Sequence, residues 1–341
     1  MSLLAILASS AGQPTGGGGL PYTLPLAAPY NVDTTLKITT PFGDNQTVHP
    51  DVVDFGAPWN GYRYWLGITP FTEGDPRHEN PCVYASHDGW EWVTPPGLTN
   101  PIELGSGAIY DSNSDTDLLY DPTNNRLILT WRRYHTGLKT ERIRMSHSTN
   151  GTTWSTPVEI LATNGVTDGT NSVQQTTSQS IVWASDTDWR MWACGASNLP
   201  DTMRTATSPY GPWSAPQTIV FTGATNPRHP GTVLQPYHAD VIEGPDGRFW
   251  MIGGADGFFF PAVSADGIAW TSGATCLTGR AGKWDAGPYR ATMQPHENGT
   301  HMRVWYSAVY DPRGEVPPGH FSNQQWRTGL TLIPRSHWTS L

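Results

Sequence analysis

Lysine is almost missing from this chain of 341 residues: Lys37, Lys139 and Lys283 stand against 17 arginines. Either cation would serve solubility, so the skew reads as the mark of a GC-rich genome and carries no functional choice. Charge of both signs is scarce, at 14% of residues, and the formal net charge is −9. A chain without a basic face has nothing to set against phosphates, which excludes nucleic acid and an anionic membrane surface as partners. Cysteine is limited to Cys82, Cys194 and Cys276. An odd set cannot all pair, and no metal-ligand spacing links them, so disulfides do not build this fold. Cys82 and Cys194 lie in apolar strand-like runs and are expected as buried free thiols. No hydrophobic run is long enough to span a membrane. No segment carries a helical stripe longer than about two turns.

What the chain has instead is tryptophan (16 copies), glycine (36 copies) and a repeat. Arg63, Arg126, Arg190, Arg248 and Arg303 recur at intervals of about 55–64 residues. Four of them open Arg-x-Trp, with Trp65, Trp192, Trp250 and Trp305; the second copy departs, as Arg126-Leu127-Ile128-Leu129-Thr130-Trp131. Downstream comes Ser-x-Asp-Gly-x-x-Trp, as Ser86-His87-Asp88-Gly89-Trp90-Glu91-Trp92 and Ser264-Ala265-Asp266-Gly267-Ile268-Ala269-Trp270. Ser148 to Trp154 is an Asn-Gly version, and the motif weakens at Ser208 to Trp213 and Ser322 to Trp326.

Asp-Gly or Asn-Gly between strands predicts a hairpin turn with both central residues at positive φ. The Trp beyond it can pack against the neighbouring unit. The intervening segments are rich in aromatic and β-branched residues. A unit of this length holds four short strands, and ordered recurrence of that size predicts a propeller. The expected fold is all-β: a five-bladed β-propeller of four-stranded blades, at approximately 45–100, 110–162, 173–222, 235–275 and 285–335. A six-bladed ring is the rival count. Residues 35–40 and 330–334 are the candidate closing strands.

Ahead of the repeats, Leu3-Leu4-Ala5-Ile6-Leu7-Ala8 lacks a positive leader and is shorter than the roughly 7–15 apolar residues of a signal core. Gln13 to Gly19 is a flexible glycine linker. Residues 1–30 are therefore expected to be an apolar attachment arm that docks on a partner or on copies of itself, with the propeller at 31–341.

His49-Pro50-Asp51-Val52-Val53, Asn60-Gly61-Tyr62-Arg63-Tyr64-Trp65, Glu79-Asn80-Pro81 and the Ser86 turn together resemble the first blade of five-bladed propellers typified by arabinanases and β-xylosidases. Versions of this blade also occur in virion proteins of tailed bacteriophages. The resemblance covers about residues 45–335 and is strongest in blades one and four. It implies a central funnel faced by Asp51, Asp117, Gln179 or Ser180, His238, Asp240 and Arg290. It also implies that Asp51 is a general base and that Asp117 tunes a general acid supplied by blade three. Glycosidic cleavage needs one ionised and one protonated carboxyl. Thr177-Ser178-Gln179-Ser180 offers none, and glutamine cannot deliver a proton. Glu79 and Glu243 are the nearest replacements, with no spacing that places either on the axis. Asp115 competes with Asp117 for the register, and His49 and His238 share one offset from Asp51 and Asp240.

The missing acid favours a binding module. On this reading the chain is a minor tail or receptor-binding protein of a phage particle, anchored to other virion proteins by its arm and expected to be a homo-oligomer. Its funnel would hold cell-surface polysaccharide through Asp51, Asp117, Gln179, His238, Asp240 and Arg290 beside Tyr237 and Tyr289. The alternative is a secreted glycoside hydrolase of arabinose- or xylose-containing polysaccharide with Asp51 as base. No cofactor is required, although a Ca²⁺ held by carbonyls and carboxylates in the funnel is possible.

Overall fold

A computed structural model of the chain describes residues 33–108, 111–135, 140–164, 176–195, 199–310 and 325–341. The expected arm at 1–30 and residues 322–324 of the last turn motif lie outside these residues. Among the described residues, twenty strands form five sheets. The first holds β1 (Thr47–Trp59), β2 (Tyr62–Pro70) and β3 (Cys82–Ser86); the second holds β4 (Asp111–Asp121), β5 (Arg126–His135), β6 (Thr140–Ser148) and β7 (Val158–Asn164). The third holds β8 (Thr177–Ser185), β9 (Asp188–Cys194), β10 (Thr202–Ala206) and β11 (Gln217–Thr218). β12 (Val220–Gly223) precedes the fourth sheet in sequence but belongs to it, with β13 (His238–Glu243), β14 (Phe249–Ala255), β15 (Phe258–Ser264), β16 (Ala269–Ser272) and β17 (Leu277–Thr278). The fifth holds β18 (Gly287–Pro295), β19 (His301–Tyr310) and β20 (Gln325–Pro334). Among the described residues the one α-helix, α1 (Ser336–Thr339), is a single turn.

The five-bladed, nearly helix-free plan agrees with the repeat. One boundary does not: β12 sits inside the expected third blade, yet pairs in parallel with β16 of the fourth. Ring closure uses the predicted segment near residue 36. Leu36 donates its N–H to the Thr328 carbonyl on β20, and Lys37 exchanges backbone bonds with Trp90 and Trp92. One short stretch thus occupies the outer edge of blade five while holding the end of blade one.

The repeated residues explain themselves as ties. Each Arg pairs with an Asp at the end of its inner hairpin: Arg63 with Asp54, Arg126 with Asp121, Arg190 with Asp188 and Arg248 with Asp246, all at 2.8–2.9 Å. Arg303 reaches across the seam to Asp54 of blade one at 3.0 Å. Three of the Arg-x-Trp indoles lock neighbouring blades, while Trp250 bonds Asp246 of its own hairpin and stacks on Trp338. Trp192 donates to the Gly267 carbonyl at 2.8 Å and Trp305 to the Gly89 carbonyl at 2.7 Å. Trp65 lies against Gly151, where a Cβ would overlap its ring. The turn tryptophan Trp270 also crosses blades, meeting Trp192 edge-on at 6.1 Å. Trp154 and Trp270 each donate to the carbonyl of their own turn glycine.

The turns differ from expectation in detail. Only the glycine has positive φ, at 78° for Gly89, 77° for Gly151 and 82° for Gly267. The polar residue before it caps two amides instead: Asp88 Oδ1 accepts from Trp90 and Glu91, while Ser86 Oγ accepts from Gly89. The same pattern recurs at Asn150 and Asp266. All three cysteines are free and buried.

Asp201, just before β10, is 8% exposed and accepts a bond from the Gly195 N–H at 2.8 Å. Burial pushes its carboxyl up to about 7, above its unfolded value, against the pull of that bond. A raised carboxyl favours the native state fully at low pH; this contribution falls as pH rises from about 4 to 7 and is flat beyond. Asp201→Asn keeps the acceptor and removes the charge. It should raise unfolding free energy at pH 8 by roughly 2–4 kcal/mol and leave it almost unchanged at pH 4. Denaturant titration at the two pH values checks this; an equal change at both would contradict it.

Candidate functional site

The five inner strands β1, β4, β8, β13 and β18 surround the axis and bond to one another in turn. Thr116 Oγ1 donates to the His49 carbonyl, and the Ile181 N–H to Asp117. The Val241 N–H donates to Ser180 Oγ, the Met293 N–H to Asp240, and Gln294 Nε2 to the Val52 carbonyl. Four of these strands break register near their start: Val48/Asp51, Ser114/Asp117, Thr177/Ser180 and Pro288/Arg290. The three irregularities in blades one to three each hold a residue at positive φ, His49 at 58°, Asp115 at 54° and Ser178 at 51°. Bulges next to a funnel re-aim side chains, and non-glycine residues held at positive φ mark functional strain.

The outcome is two stacked layers of buried groups. The first contains His49, Asp115 and His238, whose ligand atoms lie within 4.8 Å of one another. His49 Nε2 stands 3.2 Å and His238 Nδ1 3.4 Å from the same oxygen, Asp115 Oδ1. None of these three atoms has a hydrogen-bond partner among the described residues. The Asp115 N–H donates to His49 Nδ1 at 3.3 Å, and the Thr69 hydroxyl lies 3.1 Å from the same nitrogen. Nδ1 is thus the accepting nitrogen, and Nε2 is the one turned to the Asp115 carboxylate.

Electrostatics sharpen this. Burial drives His49 down to about 3 against the attraction of Asp115, and pushes His238 well below the usual imidazole range. Burial also opposes ionisation of Asp115, but Arg132, His49, His238 and Arg290 outweigh it and hold the carboxyl below its ordinary value. Arg132 fixes the carboxylate from behind, Nε to Oδ2 at 2.9 Å, and is itself held by Glu141 and Thr177. Two imidazoles and one carboxylate that converge within 4.8 Å are a ligand set of the kind a divalent ion takes.

The second layer, two residues further along the strands, contains Asp51, Asp117 and Asp240, again within 4.8 Å of one another. Burial raises Asp51, with the charges of Asp240 and Asp117 adding to it. Burial likewise lifts Asp117 to about 7, opposed by Arg290, and raises Asp240. Arg290, with no exposed surface, stands between the layers, 3.7 Å from Asp51 and 3.8 Å from Asp115. This layer floors a cavity of about 190 Å³ that opens at the far end of the channel.

The funnel-facing expectation thus places Asp51, Asp117, Asp240, His238 and Arg290 together. Asp115 and Asp117, read as alternatives, both enter the channel at different depths. Gln179 is fully buried and spends its amide on the Asp115 carbonyl at 2.5 Å. Ser180 buttresses Asp240. Tyr289 lies 4.2 Å from the His238 ring and Tyr237 4.6 Å from it, ring centre to ring centre. Glu79 reaches the upper layer, Oε1 3.5 Å from His49 Nδ1, and burial with the Asp115 charge pushes it up to about 8. Glu243 lines the far cavity.

The fold and its axial site define a five-bladed propeller of the glycoside-hydrolase-like kind. No family model matches the sequence. The chain is 28% identical over 315 residues to the A type blood N-acetyl-α-D-galactosamine deacetylase of Flavonifractor plautii, covering 78% of this chain and 40% of that protein. It thus spans less than half the length of that relative. In structure it is similar to an N-acetylgalactosamine deacetylase from F. plautii solved with blood group B trisaccharide, with TM-score 0.75, 24% identity and coverage of 90% and 96%. It also shares its fold with an α-L-arabinofuranosidase from Fusarium graminearum (TM-score 0.55, 14% identity, 84% and 77% covered). A family 117 glycoside hydrolase from Zobellia galactanivorans is similar to a like degree (TM-score 0.52, 13% identity, 87% and 89% covered).

These findings overturn the expectation of a non-catalytic virion module. That reading rested on the missing carboxylate at Gln179, together with the glycine-tethered apolar arm, the lack of a signal-like leader and the low lysine content. The relative with sequence identity to this chain is a deacetylase, so the lack of a glycosidase acid is no sign of lost catalysis. The alternative class, an enzyme that processes glycans, is the better supported one.

Proposed function

We propose that this chain is a hydrolase of glycans that removes the acetyl group from an N-acetylated amino sugar, with its chemistry at the His49–Asp115–His238 layer. The observation that carries the reading is the convergence of three buried, partnerless ligand atoms on one point. They suit a divalent ion of the imidazole-binding type, as two neutral imidazoles and one carboxylate. His49 Nε2, Asp115 Oδ1 and His238 Nδ1 would hold it. When bound, such an ion polarises a carbonyl and lowers the pKa of water. The remaining roles belong to the chain. Thr69 and the Asp115 N–H hold the His49 ring through Nδ1, and Arg132 orients Asp115. Glu79 keeps a proton at neutral pH beside His49 and can hand it to a departing amine. Tyr237, 41% exposed, offers a ring at the mouth for a sugar face.

A second reading keeps glycosidic cleavage, with Asp51 as base; the raised Asp117 carboxyl favours it. Against it, the place of the blade-three acid is held by Gln179, which spends its amide on the Asp115 carbonyl and has no proton to give. One assay distinguishes the two. Purified protein with added divalent ions is given N-acetylgalactosaminides, and both acetate and new reducing ends are measured. Acetate release is the expected result. Reducing ends without acetate would establish the second reading in its place.

A further inference from the structure

The far cavity has no part in the proposed deacetylation, and its makeup is unusual. Its floor is three carboxylates, while Val53, Ile181, Trp183, Ile242 and Pro295 give it largely apolar walls. Each carboxylate is anchored from outside: Asp51 by Thr292, Asp117 by the Ile181 N–H, Asp240 by the Met293 N–H and Ser180. Asp51 is 4% exposed and lines the cavity, and its Oδ2 has no hydrogen-bond partner among the described residues. Arg290 approaches that oxygen at 3.7 Å, an ion pair beyond hydrogen-bond reach, and is the cation that stands beside the three carboxyl groups.

We propose that this cavity binds the primary ammonium group of a small organic amine, its apolar part lying between the walls and its nitrogen above Asp51, Asp117 and Asp240. Three N–H donors at about 2.8 Å and tetrahedral angles want acceptors about 4.6 Å apart. The three carboxylates offer oxygens within 4.8 Å of one another. A calcium ion would want six to eight oxygens, and walls of valine, isoleucine and proline do not supply them. The Trp183 ring adds a surface suited to a cation. The volume, about 190 Å³, admits a short amine.

The test is calorimetry on the full chain at neutral pH with n-propylammonium, n-propanol, tetramethylammonium and calcium chloride, each alone. Propylammonium should bind at a single site. Propanol lacks the charge and tetramethylammonium lacks the N–H donors, so neither should bind measurably. Asp240→Asn should weaken propylammonium at least about tenfold. Ile242→Phe, which narrows the cavity and leaves the carboxylates in place, should weaken it similarly and covers the case in which the first variant misfolds. No heat with propylammonium, equal binding of tetramethylammonium, or calcium binding that Asp240→Asn removes would each overturn the proposal. So would glycosidic turnover lost in Asp51→Asn, which would assign the cavity to that chemistry; failure of deacetylation alone leaves the amine result untouched.

Discussion

His238→Asn should lower acetate release from an N-acetylgalactosaminide by about three powers of ten while leaving the propeller folded. The side chain is 2% exposed, and neither ring nitrogen has a hydrogen-bond partner among the described residues. Its removal therefore costs no internal bond, and the replacement is smaller and polar. A purely structural histidine would show the reverse pattern, with loss of stability and little loss of rate. The magnitude follows from the usual weight of a positioned ligand or proton-transfer group, roughly 10²–10⁴ in rate. Initial rates and a denaturant titration on the same preparation separate the two outcomes. A variant with more than about a tenth of the parent rate would remove His238 from the chemistry.

Gly151→Val should cost roughly 3–5 kcal/mol of unfolding free energy, from strain and overlap together. Gly151 has φ of 77°, which a β-branched residue resists, and any Cβ there overlaps the buried Trp65 ring of the adjoining blade. Gly61→Ala is the control. Its φ is 90°, yet nothing lies within 4 Å of the added carbon. It should cost only about 1–2 kcal/mol. If the two substitutions cost the same by urea titration, the tryptophan lock between blades one and two is not as described. Gly267 lies between these cases, since its Cβ would stand 2.7 Å from Trp192.

That contrast marks what was legible in the sequence. The Ser-x-Asp-Gly-x-x-Trp turn is short-range chemistry: one serine hydroxyl, one carboxylate and one left-handed glycine within a few residues. Its partner, the Trp of Arg-x-Trp, repeats at the blade period because three seams use the same lock, Trp65 on Gly151, Trp192 on Gly267 and Trp305 on Gly89. Both therefore leave a readable pattern. The lower layer was also readable, since Asp51, Asp117 and Asp240 hold equivalent places near the starts of their inner strands. Of the upper layer, only His238 was. His49 and Asp115 reach the axis through bulges with positive φ, and an even strand period does not foresee a bulge. Asp115 and Asp117 looked like rivals for one position because nothing local separates their depths. Glu79 comes from the irregular segment between β2 and β3, where no periodicity operates. β12 joins blade four through parallel pairing with a strand about fifty residues away, which composition does not encode. The reading of the site as inert followed from demanding a blade-three acid, a requirement of glycosidic cleavage alone.

The central claim is that His49, Asp115 and His238 form one cation site. Anomalous scattering from crystals grown with manganese or zinc tests it directly. The account predicts one strong peak within coordination distance of His49 Nε2, Asp115 Oδ1 and His238 Nδ1, absent from crystals of His238→Asn. A peak among Asp51, Asp117 and Asp240 instead, or no peak on the axis at saturating metal, would contradict it.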